Sequence, residues 1–357
     1  MMTKTFEELS KLYLEKECIG KDYSYCTELK SNINHLNRYF STKSPEKIKG
    51  IDVDDFLNFL YLGVNPNNNK PYSKRLLTGI ISTGYRLYEF ALDNELLPNM
   101  RNPFSGKKKK IPKNAPKKER KPIDEYQKKM ILSVFHRTQL AALIMLYCGL
   151  RKGEIIALEW QDVDLNNKII SITKSAVRYD SNNYIITSHT KNGKDRYVPI
   201  PDNLIPFLQI SKYNTNSKYV FSQNSGKLHT MTSWKRAWDS YQNELNYSYY
   251  VYLMEKTNRK PKNRYDPSGI PKVLEKFTAH QLRHTYCTML YLSEVDIKTT
   301  SQLMGHSSVD ITLEVYTHLD AKYKKLNINK YNNYLNNSSD NKIMQITDKI
   351  VQLNSAI

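Results

Sequence analysis

Residues 106–122 read GKKKKIPKNAPKKERKP, with nine basic residues, three prolines and almost no apolar side chain. Prolines and like-charge repulsion favour an extended chain, so the stretch reads as a linker dividing the 357 residues in two. The length agrees, since it exceeds one ordinary domain and leaves room for a sizeable core. A solvated hinge and a strap lying along a polyanion both suit the charge.

On the N-terminal side the apolar spacing is helical. Phe6, Leu9, Leu12 and Tyr13 form one stripe, Tyr25, Leu29, Ile33, Leu36 and Tyr39/Phe40 a second, and Val53, Phe56, Leu57 and Leu60 a third. A fourth helix is expected to begin near Ser73, after NNNKPY. Lys70, Lys74, Arg75 and Arg86 put positive charge on or near it. The whole predicts a small helical bundle.

On the C-terminal side the pattern mixes. Helices are expected over 124–135 and 138–148, the second stopped by Gly149. IISITKSAVRYD, NYIITSHT and DRYVPIP then carry the β-branched and aromatic character of strands. Asn192-Gly193 lies between the second and third, a strong hairpin signal, so a small antiparallel sheet is expected there. The tyrosine- and lysine-rich stretch 241–276 has no clear period.

Composition narrows the function. Lys plus Arg number 54 against 35 Asp plus Glu, a net charge of +19, which favours a polyanionic partner with nucleic acid foremost. The N-terminus, MMTKTFEELSKLYLEKE, has acidic residues where a signal peptide needs an apolar run, and no stretch is apolar enough to span a bilayer. The four cysteines form no CxxC pair, so neither a disulfide framework nor a zinc site is indicated.

Four short stretches hold candidate chemistry. TAHQLRHTY (278–286) places His280, Arg283 and His284 within about one helical turn, beside an apolar stripe of Leu282, Tyr286, Met289 and Leu290. YCGLRKGEIIALEWQDVD sets Arg151 and Glu154 in a loop that opens a helix. TKNGKDRYVP presents Lys191 at a hairpin tip, with Lys194 as its competitor. LMGHSSVDITLEVYTHLD gives His306 in a turn and Tyr316 ten residues on.

Together these stretches resemble the tyrosine recombinase family, the phage integrase type of site-specific DNA recombinase. The resemblance covers most of 123–320 and joins GLRxGE, a hairpin lysine, HxLRHT and MGH followed by a tyrosine, in the family's order. It implies a mainly α, multidomain protein. A helical, SAM-like core-binding bundle (1–105) and the basic linker (106–122) precede an α+β catalytic domain with a small antiparallel sheet (123–335), and a tail helix (336–357) closes the chain.

The chemistry implied is breakage of a DNA phosphodiester without water. Arg151 and Arg283 would grip the phosphate in planar forks and stabilise the transition state. Tyr316 would be the nucleophile, forming a 3'-phosphotyrosyl bond that keeps the bond energy for rejoining, so no ATP, metal or other cofactor is implied. His280 would accept the tyrosine proton, His306 would donate to a phosphoryl oxygen, and Lys191 would protonate the leaving 5' hydroxyl. Glu154 braces Arg151. His284 reads as a packing or supporting histidine, and the pair lacks the glutamate of a HExxH zinc helix.

Further expectations follow from the resemblance. The partner is double-stranded DNA, bound by a homotetramer on two sites, with an excisionase-type accessory protein as a candidate partner and no membrane. The place of action is the cytoplasm, on the nucleoid, of a bacterium or its phage. Chain length, the 241–276 stretch and the basic linker favour the integrase of a phage or conjugative element. Xer-like chromosome dimer resolution is the alternative, and a non-catalytic DNA-binding protein on the same fold stands behind it. A type IB topoisomerase shares the chemistry but does not need the LMGHSS turn. At the C-terminus Ile343, Ile346, Ile350 and Leu353 recur at helical spacing, a stripe that the resemblance leads us to expect on a neighbouring subunit, with docking on its own catalytic domain as the alternative.

Overall fold

A computed structural model describes residues 5–97, 100–117, 121–188 and 195–317, and of Tyr316 and Thr317 only their place in a helix. In chain order the elements begin with α1 (Phe6–Glu17), α2 (Tyr23–Phe40), α3 (Gly50–Leu62), β1 (Val64–Asn65), β2 (Lys70–Pro71) and α4 (Lys74–Asp93). Next come α5 (Glu125–Ser133), α6 (Gln139–Cys148), α7 (Lys152–Ala157), β3 (Val163–Asp164), β4 (Ile169–Ile172), β5 (Ser175–Arg178), β6 (Tyr184–Thr187) and β7 (Arg196–Pro199). The remainder is helical, with α8 (Ile205–Tyr213), α9 (Met231–Lys256), α10 (Ala279–Leu292), α11 (Ile297–Met304) and α12 (Val309–Thr317). No helix among the described residues is long and apolar enough to cross a membrane.

The chain forms two compact units. One comprises Met1–Lys121, Ser175–Thr187 and Phe221–Asn243, and the other Pro122–Lys174, Ser188–Val220 and Glu244–Ile357. In the first, polar caps start the helices: the side chains of Thr5, Asp22 and Ser73 accept from the backbone N–H groups of Glu8, Tyr25 and Leu76. Phe6, Leu9 and Tyr13 of α1 meet Leu29, Ile33, Leu36 and Phe40 of α2, Val53 and Phe56 of α3, and Leu77, Ile81 and Tyr88 of α4 in one core. Burying each large apolar side chain is worth about 1.5–3 kcal/mol, so these stripes hold the bundle together. NPNNNK folds into a small β1–β2 hairpin, its turn closed by Asn65 and Asn68 accepting from backbone N–H groups two residues on.

The basic segment departs from the extended linker expected. Lys107–Lys110 wind into a turn of 3-10 helix, and Phe104, Ile111 and Ala115 are buried in the core of the first unit. Asp54 supplies the counter-charge: its Oδ2 accepts from Lys107 Nζ at 2.8 Å and from Lys110 Nζ at 2.7 Å. Three apolar anchors and one carboxylate outweigh the like-charge repulsion, so over 106–117 the segment is part of the helical unit.

In the second unit α6 is almost wholly buried, and α10 packs across it. β3, β4 and β7 form an antiparallel sheet in which Ile170 pairs with Val163 on one side and Val198 on the other, and Ile172 pairs with Arg196. This pairing corrects the expected hairpin. IISITKSAVRYD breaks at Thr173-Lys174 into two strands; its second half, β5, pairs with β6, while β7 returns to β4. The buried face of β7, Arg196 and Val198, needs the buried Ile170 and Ile172 opposite it, and that long-range demand decides the register. The Asn192-Gly193 turn and the tail stripe at 343–353 lie outside the described residues.

Candidate active site

The site is built around two glycines that end helices. Gly149 caps α6 in the left-handed conformation, with φ 67°, and a Cβ there would lie 2.2 Å from the Tyr286 ring. Only glycine satisfies both demands. The chain then turns so that Arg151 is the N-cap of α7 and Glu154 its third residue. Glu154 Oε2 accepts the Arg151 backbone N–H at 2.7 Å, and Oε1 accepts from the Arg151 guanidinium at 2.8 Å. One carboxylate thus starts the helix and orients the arginine.

The same carboxylate holds a second arginine. From β7, Arg196 donates to both Glu154 oxygens, at 2.9 and 2.7 Å. The pair is secluded, with side chains 8% and 1% exposed respectively. Burial pushes the Glu154 carboxyl up, but Arg196 and then Arg151 hold it at about 2, so it is ionised at neutral pH.

Gly305 ends α11, again left-handed at φ 60°. The last carbonyls of a helix lack partners within it, and here arginines supply them. Arg196 Nε donates to Leu303 O at 3.0 Å, Arg283 to Met304 O, and Arg151 to Gly305 O. Arg283, buried on α10, also donates through Nη1 to Gly149 O. A Cβ on Gly305 would stand 3.0–3.2 Å from the Arg196 guanidinium, so the glycine also makes room for that side chain. Three guanidiniums therefore converge on the negative end of one helix dipole with a single carboxylate among them, leaving an excess of positive charge. Burial, then the Arg151 charge, draws the Arg283 guanidinium down to about 9, still protonated at neutral pH.

His306 follows Gly305 and is held by a 2.8 Å hydrogen bond between Nδ1 and Thr312 Oγ1. Burial, then the charges of Arg283, Arg151, Arg196 and His280, push its pKa down to about 3. The imidazole is neutral at neutral pH, and in the tautomer whose Nδ1 accepts from the Thr312 hydroxyl its Nε2–H is left to donate. His280 is exposed in the first turn of α10, which Thr278 and Gln281 cap reciprocally. Such a cluster fits a tetrahedral or pentacovalent oxyanion. Arg196 is engaged through all three of its nitrogens, whereas among the described residues Arg151 and Arg283 are bonded through Nη1 and Nη2 alone and keep further N–H groups for a ligand.

Residues 121–323, over half the chain, match the phage integrase family. The chain belongs to that family. Like its other members it is a tyrosine recombinase, an enzyme of DNA cleavage and rejoining. Among curated relatives it is 29% identical over 298 residues to a XerC-like tyrosine recombinase of Caldanaerobacter subterraneus, covering 78% of this chain and 69% of that protein. It is 25% identical to the ICEBs1 integrase of Bacillus subtilis, covering 90% and 81%. Among solved structures, the Tn1549 transposon integrase in complex with a circular intermediate DNA superposes with a TM-score of 0.66 at 17% identity, over 92% of this chain and all of that one. That likeness fixes the recombinase fold.

Within this recombinase, Arg151, Arg283 and His306 come together with Glu154, and His280 is near enough for its charge to act on His306. Tyr316 lies in the last turn of α12, a helix that packs on α10 and α11 and whose Val315 meets the Tyr286–Cys287–Met304 cluster. The Tyr316 side chain and Lys191 lie outside the described residues. Arg196 escaped the sequence reading. Its signal was in the strand period: Arg196, Val198 and Ile200 alternate, so an arginine stands where the pattern calls for a buried side chain.

Proposed function

We propose that this recombinase cuts and rejoins DNA at specific sites as the integrase of a conjugative or phage element, with Tyr316 as nucleophile. The observation that carries the reading is the convergence of Arg151 and Arg283 on the C-terminal carbonyls of α11, beside the neutral His306. The remaining N–H groups of the two guanidiniums would hold the non-bridging oxygens of the scissile phosphate, and His306 would donate a further hydrogen bond. Tyr316 Oη attacks phosphorus, His280 accepts its proton, and the 5' oxygen leaves with a proton from Lys191. A 3'-phosphotyrosyl bond results, and attack by a 5' hydroxyl reverses the step.

In this reading residues 1–105 are the core-binding domain and 123–335 the catalytic domain. The assembly is a homotetramer on two duplex sites, assisted by an excisionase-type protein and acting on the nucleoid. Likeness to the ICEBs1 integrase over 90% of the chain supports the mobile-element role. Xer-type dimer resolution is the second reading, supported by the XerC-like relative.

The test is covalent trapping on a nicked duplex carrying the element's end. Wild type should form a denaturant-resistant protein–DNA adduct. Tyr316→Phe should bind that DNA and form none, and Arg283→Lys should slow the adduct about a hundredfold or more while binding nearly as well. An adduct from Tyr316→Phe would assign the nucleophile elsewhere.

A further inference from the structure

Residues 257–278 join α9 to α10 with neither helix nor strand. Ordinary helix–helix connections run to about 2–8 residues, and ones this long usually carry function or are disordered. This loop is fastened side chain by side chain to α9. Arg264 pairs with Glu244 at 2.7 Å and lies 4.6 Å over the Tyr247 ring. Tyr250 Oη accepts from Lys262 N at 3.2 Å. Asn246 donates to Pro271 O at 2.9 Å and accepts from Val273 N and Leu274 N at 2.9 and 3.0 Å. Gln127 of α5 donates to Glu275 O at 2.8 Å.

Once fastened, the loop and the end of α9 present Lys256, Arg259, Lys260, Lys272 and Lys276, all exposed and none with a side-chain partner among the described residues. Only Asp266 and Glu275 oppose them between 256 and 276, and Asp266 is taken up by Ser268. Tyr265 stands among these cations, 85% exposed. A solvated charge run needs no such scaffold. Here the anchoring interactions fix where five unpaired cations and an aromatic ring point.

We propose that this loop is a second DNA-backbone surface, gripping phosphates of the duplex that leads away from the cleaved bond. The proposal rests on the recombinase reading above. Lys276 precedes His280 by four residues, so their Cα atoms lie within about 14 Å at about 3.5 Å per residue. That span is about four nucleotides at about 3.4 Å of rise each. The loop therefore reaches DNA flanking the arginine cluster.

The experiment compares full-length wild type with K256Q/R259Q/K260Q/K272Q/K276Q, which leaves every anchor intact. Binding to a long mixed-sequence duplex is measured across a salt series. The slope of log affinity against log salt should become shallower by about two units or more, because each lost phosphate contact removes about 0.9. A counterpart with arginine at the four lysine positions should keep the wild-type slope. A smaller change in the glutamine variant, or loss of slope in the arginine counterpart, overturns the proposal. Both proteins are also assayed for covalent adduct on the nicked duplex at saturating concentration, where the glutamine variant should match wild type. A wild type that forms no adduct overturns the recombinase reading beneath it; normal adducts with an unchanged slope overturn the loop alone.

Discussion

Asp54 in the first unit and Glu154 in the second are each gripped by two cationic side chains, yet the two arrangements differ in kind. Both lysines meet Asp54 through one oxygen, Oδ2, and its Oδ1 has no partner among the described residues. Glu154 uses both oxygens, taking two bonds from Arg196 and two from Arg151, one of them through the backbone. Lysine is a point charge that neutralises; arginine is a planar fork that also fixes direction. The lysine clasp ties a basic segment to a helical bundle. The arginine clasp sets the angle at which Arg151 faces a ligand, and the α11 carbonyls let Arg283 join without a second carboxylate cancelling the charge.

The comparison breaks first at Glu154. Glu154→Ala leaves Arg196 buried without its counter-charge, which costs about 3–5 kcal/mol. Urea unfolding should show that loss together with collapse of adduct formation. Arg196→Lys should recover part of the stability and little of the activity, since an ammonium cannot span two oxygens and Leu303 O. A loss below about 1 kcal/mol for Glu154→Ala would put this pair in the surface class.

Acid loosens the second unit's site more gently. His306 has a folded pKa of about 3 against an ordinary 6.5, so the stability tied to its neutral form is complete above 6.5 and drains as pH falls towards 3. Glu154, at about 2 against 4.5, adds a second loss that begins only below 4.5. The melting temperature should decline from pH 6.5 downward and more steeply below 4.5. His306→Gln should flatten the upper part alone. An unchanged upper limb in that variant would mean the imidazole is not held neutral by its surroundings.

The smallest effect belongs to Asp54. Burial raises its carboxyl pKa, but Lys107 and Lys110 more than offset this and leave it lowered. Asp54→Asn should cost about 1 kcal/mol in thermal melts, as partly exposed pairs do, and leave the adduct rate as it was. A fall in adduct rate would mean that the basic segment serves catalysis and not only the bundle.

The elements legible in the sequence were those fixed by local rules. α1–α4 show helical apolar periods, and Ser73 and Gly149 mark helix boundaries. What escaped depends on distant partners. The apolar anchors Phe104, Ile111 and Ala115 are too widely spaced to give a period, so the folded basic segment read as a linker. α9 carries tyrosines and tryptophans around much of its girth, with Trp234 and Trp238 stacked at 5.8 Å, which blurs an amphipathic signal. In the site, Arg151, Arg283 and His306 were readable from motifs, whereas Arg196 acquires its meaning only from Glu154 and Leu303, contributed by other elements.

The C-terminal end of α11 is a socket filled from far along the chain. Arg151 reaches Gly305 across a sequence separation of 154, and Arg196 reaches Leu303 across 107. Contacts so non-local form late, after the loops between them have closed. During synthesis Arg151 and Arg196 have none of these carbonyls to bind until residues 303–305 have been made. A nascent chain thus lacks this arginine cluster until that point, and its capacity to cleave DNA cannot come earlier.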